Sequence, residues 1–195
     1  RDHALASGAL SFVAKPIQKR EVLDRLLDTI TSFTNRRKKN ILVVEPDAKK
    51  RARTLKAVTT EDIEVIAAKD KVRALQVLSK QQIDCLVVNP KLLDIVDTVV
   101  QSEEETTEAV LGSIPVVVYG DGKIDEDIWK RVSKIHLVRK ALSPDRLLDL
   151  VAFSLHRNVA NLPEAWRKKL LDLHQSDKLL AGKKVLIVDD DTRNI

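Results

Sequence analysis

Asp189 and Asp190 follow directly on the apolar run Val185-Leu186-Ile187-Val188, and Asp191 extends the acidic group. Paired carboxylates at the end of a strand suit a hard cation such as Mg²⁺, which takes oxygen ligands and keeps several of its waters. A solvated acidic turn is the equally simple alternative. Other reactive residue types are sparse or badly spaced. His3, His136, His156 and His174 are scattered without metal-ligand spacing, and Cys85 sits inside an apolar run, where an inert core thiol is expected. Gly120-Asp121-Gly122-Lys123 lacks the GxxxxGK[ST] pattern of a phosphate loop.

The elements that must position these groups alternate along the chain. Ile41 to Val44 is a continuous apolar run of strand length, expected to be buried on both faces of a sheet. Further strands are expected at 63–68, 83–88, 114–119 and 134–138, with helices at 47–58, 69–80, 91–107, 123–132 and 144–157; Ser143-Pro144 supplies a cap and a first-turn proline for the last. Five strands alternating with five helices imply an α/β domain with a doubly wound five-stranded parallel sheet over residues 40–157. Such sheets gather side chains in a crevice at the carboxyl ends of their strands.

Outside that domain, Val22, Leu23, Leu26, Leu27, Ile30 and Phe33 recur at helical spacing over 19–34, and a second helix is expected over 163–180. Lys184 to Asp191 repeats the pattern of Lys39 to Asp47, and Phe12-Val13-Ala14-Lys15-Pro16 repeats that of Leu137 to Ala141. Five segments result: 1–35, the last strand and helix of one unit; 36–39, a basic linker; 40–157, a complete domain; 158–182, a helical connector; and 183–195, the first strand and acidic loop of a further unit. Both ends read as cuts through a longer polypeptide.

Composition narrows the classes. Aromatic residues make up 3% of the 195 and there is one cysteine, which excludes a disulfide scaffold and a cysteine-rich zinc site and points to a reducing, cytoplasmic setting. No apolar run approaches the ~20 residues of a membrane-spanning helix. The net charge of +5 is densest at Arg36-Arg37-Lys38-Lys39, read as a solvated linker because no aromatic residues accompany it for base stacking.

Val185 to Asp191, Phe12 to Pro16 and the element order of 40–157 together resemble the receiver domains of response regulators, whose fold is flavodoxin-like. The stretch from Leu155 through Leu162-Pro163-Glu164 to Gly182 resembles the connector between tandem receivers of a hybrid histidine kinase. The resemblance implies transfer of a phosphoryl group from a kinase histidine to an aspartate ending the third strand. Acidic residues after the first strand would hold Mg²⁺, a hydroxyl after the fourth would contact the phosphoryl oxygens, and a lysine after the fifth would pair with them.

The central domain departs from that pattern. Asn89 stands at the phosphoacceptor position and is a far poorer nucleophile than a carboxylate. Glu45 matches the first acidic position, Pro46 occupies the second, and Asp47 falls one residue late, where a helix cap is expected. Gly120 replaces the hydroxyl residue, and either Arg139 or Lys140 matches the lysine. Asp84 and Asp94, flanking Asn89, read as solvated charges.

The resemblance thus implies a non-phosphorylatable pseudo-receiver, a spacer or docking module and not an enzyme, among flanking receivers. Mg²⁺ is expected at Asp189 and Asp190 of the following receiver, weakly at Glu45, and as no resident cofactor of the central domain. Lys15 would be the preceding receiver's lysine. Expected partners are neighbouring receiver and histidine-kinase domains of the same polypeptide and a phosphotransfer protein, without nucleic acid or membrane contact. A different class of function is a crevice that binds a small anion or metal noncovalently through Glu45, Asn89 and Lys140.

Overall fold

The computed structural model describes Val13 and residues 16–17, 19–36, 38–96, 114–120, 122–135, 137–158, 160 and 162–174. Lys15, Asp189 and Asp190, the repeat strands that contain them, and most of the expected 91–107 helix lie outside the described residues.

The chain runs α1 (Arg20–Asn35), β1 (Lys39–Val44), α2 (Ala48–Val58), β2 (Ile63–Ala68), α3 (Lys71–Leu78), β3 (Cys85–Val88), a 3-10 turn (Pro90–Leu92), β4 (Val116–Tyr119), α4 (Glu126–Ile135), β5 (Val138–Ala141), α5 (Pro144–Ser154) and α6 (Glu164–His174). All strand pairings are parallel, in the order β2-β1-β3-β4-β5, a doubly wound flavodoxin-like sheet. The apolar runs behave as their composition requires. Ile41 and Val43 pack with Cys85, Val87 and Val117 under α2 and α5, while Leu42 and Val44 pack with Leu86, Val88 and Val118 under α3 and α4.

The helix starts follow from capping chemistry. Asp47 accepts from the Lys50 N–H at 2.8 Å, Asp70 from the Arg73 N–H at 2.8 Å and Ser143 from the Arg146 N–H at 3.1 Å, each satisfying a donor the first turn leaves free. The Lys50 N–H, helped by Lys49 and both lysine charges, holds the Asp47 carboxyl below its ordinary range.

The fifth strand is displaced from its expected position. Residues 134–135 close α4, and β5 occupies 138–141. Ile128, Trp129 and Val132 give α4 an apolar side against the core, and the helix continues until Val138 can align with Val116. Asp125 starts α4 three residues later than expected, accepting from the N–H groups of Asp127 and Ile128. Arg139 and Lys140 therefore lie within β5, and do not follow it.

Asp84 is not a solvated charge. Its side chain is 4% exposed and accepts both guanidinium nitrogens of Arg36, at 2.9 and 2.5 Å, and the Asn40 N–H at 2.8 Å. Arg36, read as part of a solvated linker, is thus fixed to the amino-terminal end of the sheet. Nearby, Lys39 Nζ lies 3.5 Å from the centre of the Phe33 ring and donates to the Phe33 carbonyl, and Phe33 meets His156 edge to face at 5.5 Å. Burial, opposed by Asp84 and reinforced by Arg36, lowers the Lys39 pKa; burial and the Lys39 charge lower that of His156. Asp94 is only partly exposed and pairs with Lys71 at 3.0 Å.

Cys85 is fully enclosed, and burial pushes its thiol up to about 12 despite a hydrogen bond with Ser154. A thiol-specific disulfide reagent at pH 8 is expected to leave it unlabelled in the native chain and to label it completely in denaturant. Labelling of the native protein at the rate of a free thiol would contradict the packing described here.

Candidate functional site

Parallel pairing brings the ends of β1, β3 and β4 side by side, which places Glu45, Asn89 and Gly120 at one crevice. The Asn89 N–H bonds the Val44 carbonyl at 2.9 Å and the Glu45 N–H bonds the Ala68 carbonyl at 3.1 Å, so both residues extend the ladders of their strands. Each is 6% exposed.

Their side chains are joined. Asn89 Nδ2 donates to Glu45 Oε2 at 2.7 Å, and Asn89 Oδ1 accepts the Lys91 N–H at 3.0 Å, capping the 3-10 turn. Glu45 Oε1 accepts the Asp47 N–H at 2.9 Å. Both ends of the amide and both carboxylate oxygens therefore have protein partners. A buried carboxylate needs such partners in place of water, and here a side-chain amide and a backbone N–H supply them.

Arg51, which sequence reading passed over, fastens the loop between β1 and α2 by donating from Nη1 to the carbonyls of Glu45 at 2.7 Å and Pro46 at 3.1 Å. The one available signal was its place one turn after the cap, close enough to reach back over the loop.

Gly120 closes the crevice from β4. Its φ is +133°, which side chains rarely adopt, and a Cβ there would stand 3.1 Å from Asn89 Nδ2, 3.4 Å from Pro90 Cδ and 3.6 Å from Glu45 Oε2. A side chain at this position is thus opposed by the backbone angle as well as by its neighbours. Gly120→Ser is expected to cost about 1–3 kcal/mol in urea denaturation. A serine variant as stable as the parent would show that the loop can relax around a side chain.

The fifth-strand cations divide. Arg139 lies 4.2 Å over the Phe153 ring of α5, a cation–π contact on the helical side of the sheet. Lys140 is exposed, level with Val118. The structure joins Glu45 and Asn89 and does not bring Lys140 into their hydrogen-bonded group. These residues do not fit Mg²⁺, since Pro46 supplies no ligand, the Asn89 amide is uncharged with its oxygen engaged, and both Glu45 oxygens are engaged. Among the described residues no three His, Cys, Asp or Glu side chains group to hold a metal, and no helix is long and apolar enough to cross a membrane.

No protein-family model matches the chain, and no curated protein matches it. Solved structures do. The signal receiver domain of an HD domain-containing protein from Pseudomonas fluorescens Pf-5 is 15% identical, with a TM-score of 0.48, over 62% of this chain and 96% of that one. A response regulator from Thermotoga maritima is 17% identical, with a TM-score of 0.45, over 61% and 98%. The chemotaxis response regulator CheY4 of Vibrio cholerae is 16% identical, with a TM-score of 0.46, over 60% and 98%. The strand order stands independently of these likenesses, on the pairings given above.

Proposed function

We propose that the domain is a pseudo-receiver in a two-component phosphorelay, one that accepts no phosphoryl group and serves as a spacer or docking module among the receiver and kinase domains of a hybrid histidine kinase. The observation that carries this reading is the Asn89–Glu45 hydrogen bond. At the acceptor position it leaves an uncharged amide whose oxygen is already used and whose nitrogen points at the carboxylate that would otherwise ligate a metal. In-line transfer needs an anionic oxygen at the acceptor position and a cation to neutralise the developing charge; Asn89 supplies no such oxygen, and no cation joins its hydrogen-bonded group. On this reading the domain performs no catalysis, resides in the cytoplasm, and works through its surface.

The test is intact-mass spectrometry of the 195-residue chain after incubation with acetyl phosphate and Mg²⁺, followed by peptide mapping. No phosphate is expected on residues 40–157, and beryllofluoride with Mg²⁺ should leave their amide spectrum unchanged. A hydroxylamine-sensitive phosphate in that span would overturn the reading. Saturable, beryllofluoride-dependent shifts at Glu45, Asn89 and Lys140 would instead favour noncovalent anion binding in the crevice.

A further inference from the structure

One helix of the domain carries basic charge alone. α2 carries Lys49, Lys50, Arg51, Arg53 and Lys56 and no acidic residue, against a net charge of +5 for the whole sequence. Lys49 and Lys50 stand in its first turn, where the helix dipole disfavours cations, and Lys49 and Arg53 form a like-charge pair one turn apart. The packing of α2 rests on Thr54, Leu55 and Val58, while Arg51 ties down the loop before it and the Lys49 and Lys50 charges favour the Asp47 cap. Arg53 and Lys56 stand exposed, so the helix keeps a positive face toward solvent.

Beside α2, at the carboxyl end of the edge strand β2, lies an open cleft of about 550 Å³. Arg51 lines it from α2, Lys69 and Asp70 from the following loop, and Val72, Arg73 and Gln76 from α3. The Asp70 carboxylate is committed to capping α3. Arg51 is held by the loop carbonyls, so part of the positive wall is fixed before anything binds. Among these cations Val72 is 67% exposed, an apolar side chain with nothing over it.

We propose that this cleft docks an acidic protein segment carrying an apolar side chain among its carboxylates. Guanidinium groups pair with carboxylates through two parallel hydrogen bonds, and Val72 offers an apolar contact that a partner side chain can cover. A nucleic-acid backbone has no use for Val72, and residues 47–80 contain no aromatic ring on which a base could stack. The surface adjoins the loop that carries Glu45 through Arg51 but uses neither the Glu45 nor the Asn89 side chain, so it stands or falls separately from the reading of the crevice.

Fluorescence anisotropy of the whole chain tests the proposal, using a labelled peptide of glutamates interrupted by leucines, a glutamate-only peptide and a duplex oligonucleotide of matched charge. The Lys69→Glu, Arg73→Glu double variant is expected to weaken binding of the leucine-bearing peptide about tenfold or more at ~0.1 M salt. Val72→Ser should weaken that peptide about threefold and leave the glutamate-only peptide unchanged. Lys130→Glu, Lys134→Glu on α4 controls for net charge, and Lys69, Val72, Arg73, Lys130 and Lys134 are all exposed, so circular dichroism is expected to show each variant folded. The proposal is overturned if the leucine-bearing peptide shows no saturable binding, if the α4 control loses as much affinity, if Val72→Ser affects both peptides equally, or if the duplex binds more tightly than the leucine-bearing peptide.

Discussion

Asn89→Asp is expected to destabilise the domain by about 3 kcal/mol at pH 8 in the presence of a chelator. The change removes a charge-assisted hydrogen bond worth about 1.5–3 kcal/mol and sets a second carboxylate against Glu45 Oε2, which now lies 2.7 Å from the Asn89 amide nitrogen. Two carboxylates at that separation cannot both stay ionised without a cation, so the pair must hold a proton to higher pH than either group would alone. A carboxyl whose folded pKa is raised contributes its stability below the unfolded value near 4 and loses it as pH rises through the folded value. The variant should therefore approach the parent at pH 5 and fall away toward pH 8. Adding Mg²⁺ should return some of the loss when Pro46→Asp is also present, because affinity in open oxygen sites follows the number of charged ligands. Urea denaturation at both pH values, with chelator and with Mg²⁺, measures each step. An Asn89→Asp variant as stable as the parent at pH 8 without metal would show that the Asn89–Glu45 bond does not close the crevice, and submillimolar Mg²⁺ binding by the unaltered chain would contradict the account of its ligands.

Arg36→Met should cost about 3 kcal/mol, because removing one partner of a buried ion pair strands the other charge. Asp84, with a side chain 4% exposed, would be left with the Asn40 N–H alone. Since Arg36 also ends α1, amide exchange across residues 20–35 should accelerate in the same variant. The comparison is Asp24→Asn, whose pairing with Arg20 is 3.8 Å long between well-exposed side chains and is worth about 0–1 kcal/mol. If Arg36→Met costs no more than Asp24→Asn, or leaves α1 exchange unchanged, the pair does not fasten the helix.

The strands at the centre of the sheet were the easiest to read, since Ile41 to Val44 and Cys85 to Val88 are apolar at every position and can only be buried on both faces. β2 was also legible end to end. β5 was not, because Val138-Arg139-Lys140-Ala141 carries two cations and looks like a turn, whereas Ile135 to Val138 looks apolar enough to be the strand. What places it is the pairing of Val138 with Val116, a long-range contact with no local trace.

The same limit explains Asp84. It and Arg36 were each read as solvated, yet each is the other's partner across 48 positions. At the crevice, the resemblance to receiver domains grouped Glu45, Asn89 and Gly120. It did not reveal that the amide bonds the carboxylate, or that Gly120 has a positive φ that a serine would resist. Those are facts of atomic separation and backbone angle, which residue types constrain only weakly.

The attachment of α6 sets the direction in which the chain leaves. Arg157, at the end of α5, bonds Asp62 at 2.7 Å and lies 5.4 Å from the Trp166 ring near the start of α6. Lys169, one turn on, reaches Asp145 in the first turn of α5 at 3.5 Å. Leu170 packs with Leu148 and Ala152 between them. The two helices are thus antiparallel, and α6 carries the chain back along the domain by about 16 Å. Entry through α1 is at the pole where the strands begin, and departure is toward the pole where they end.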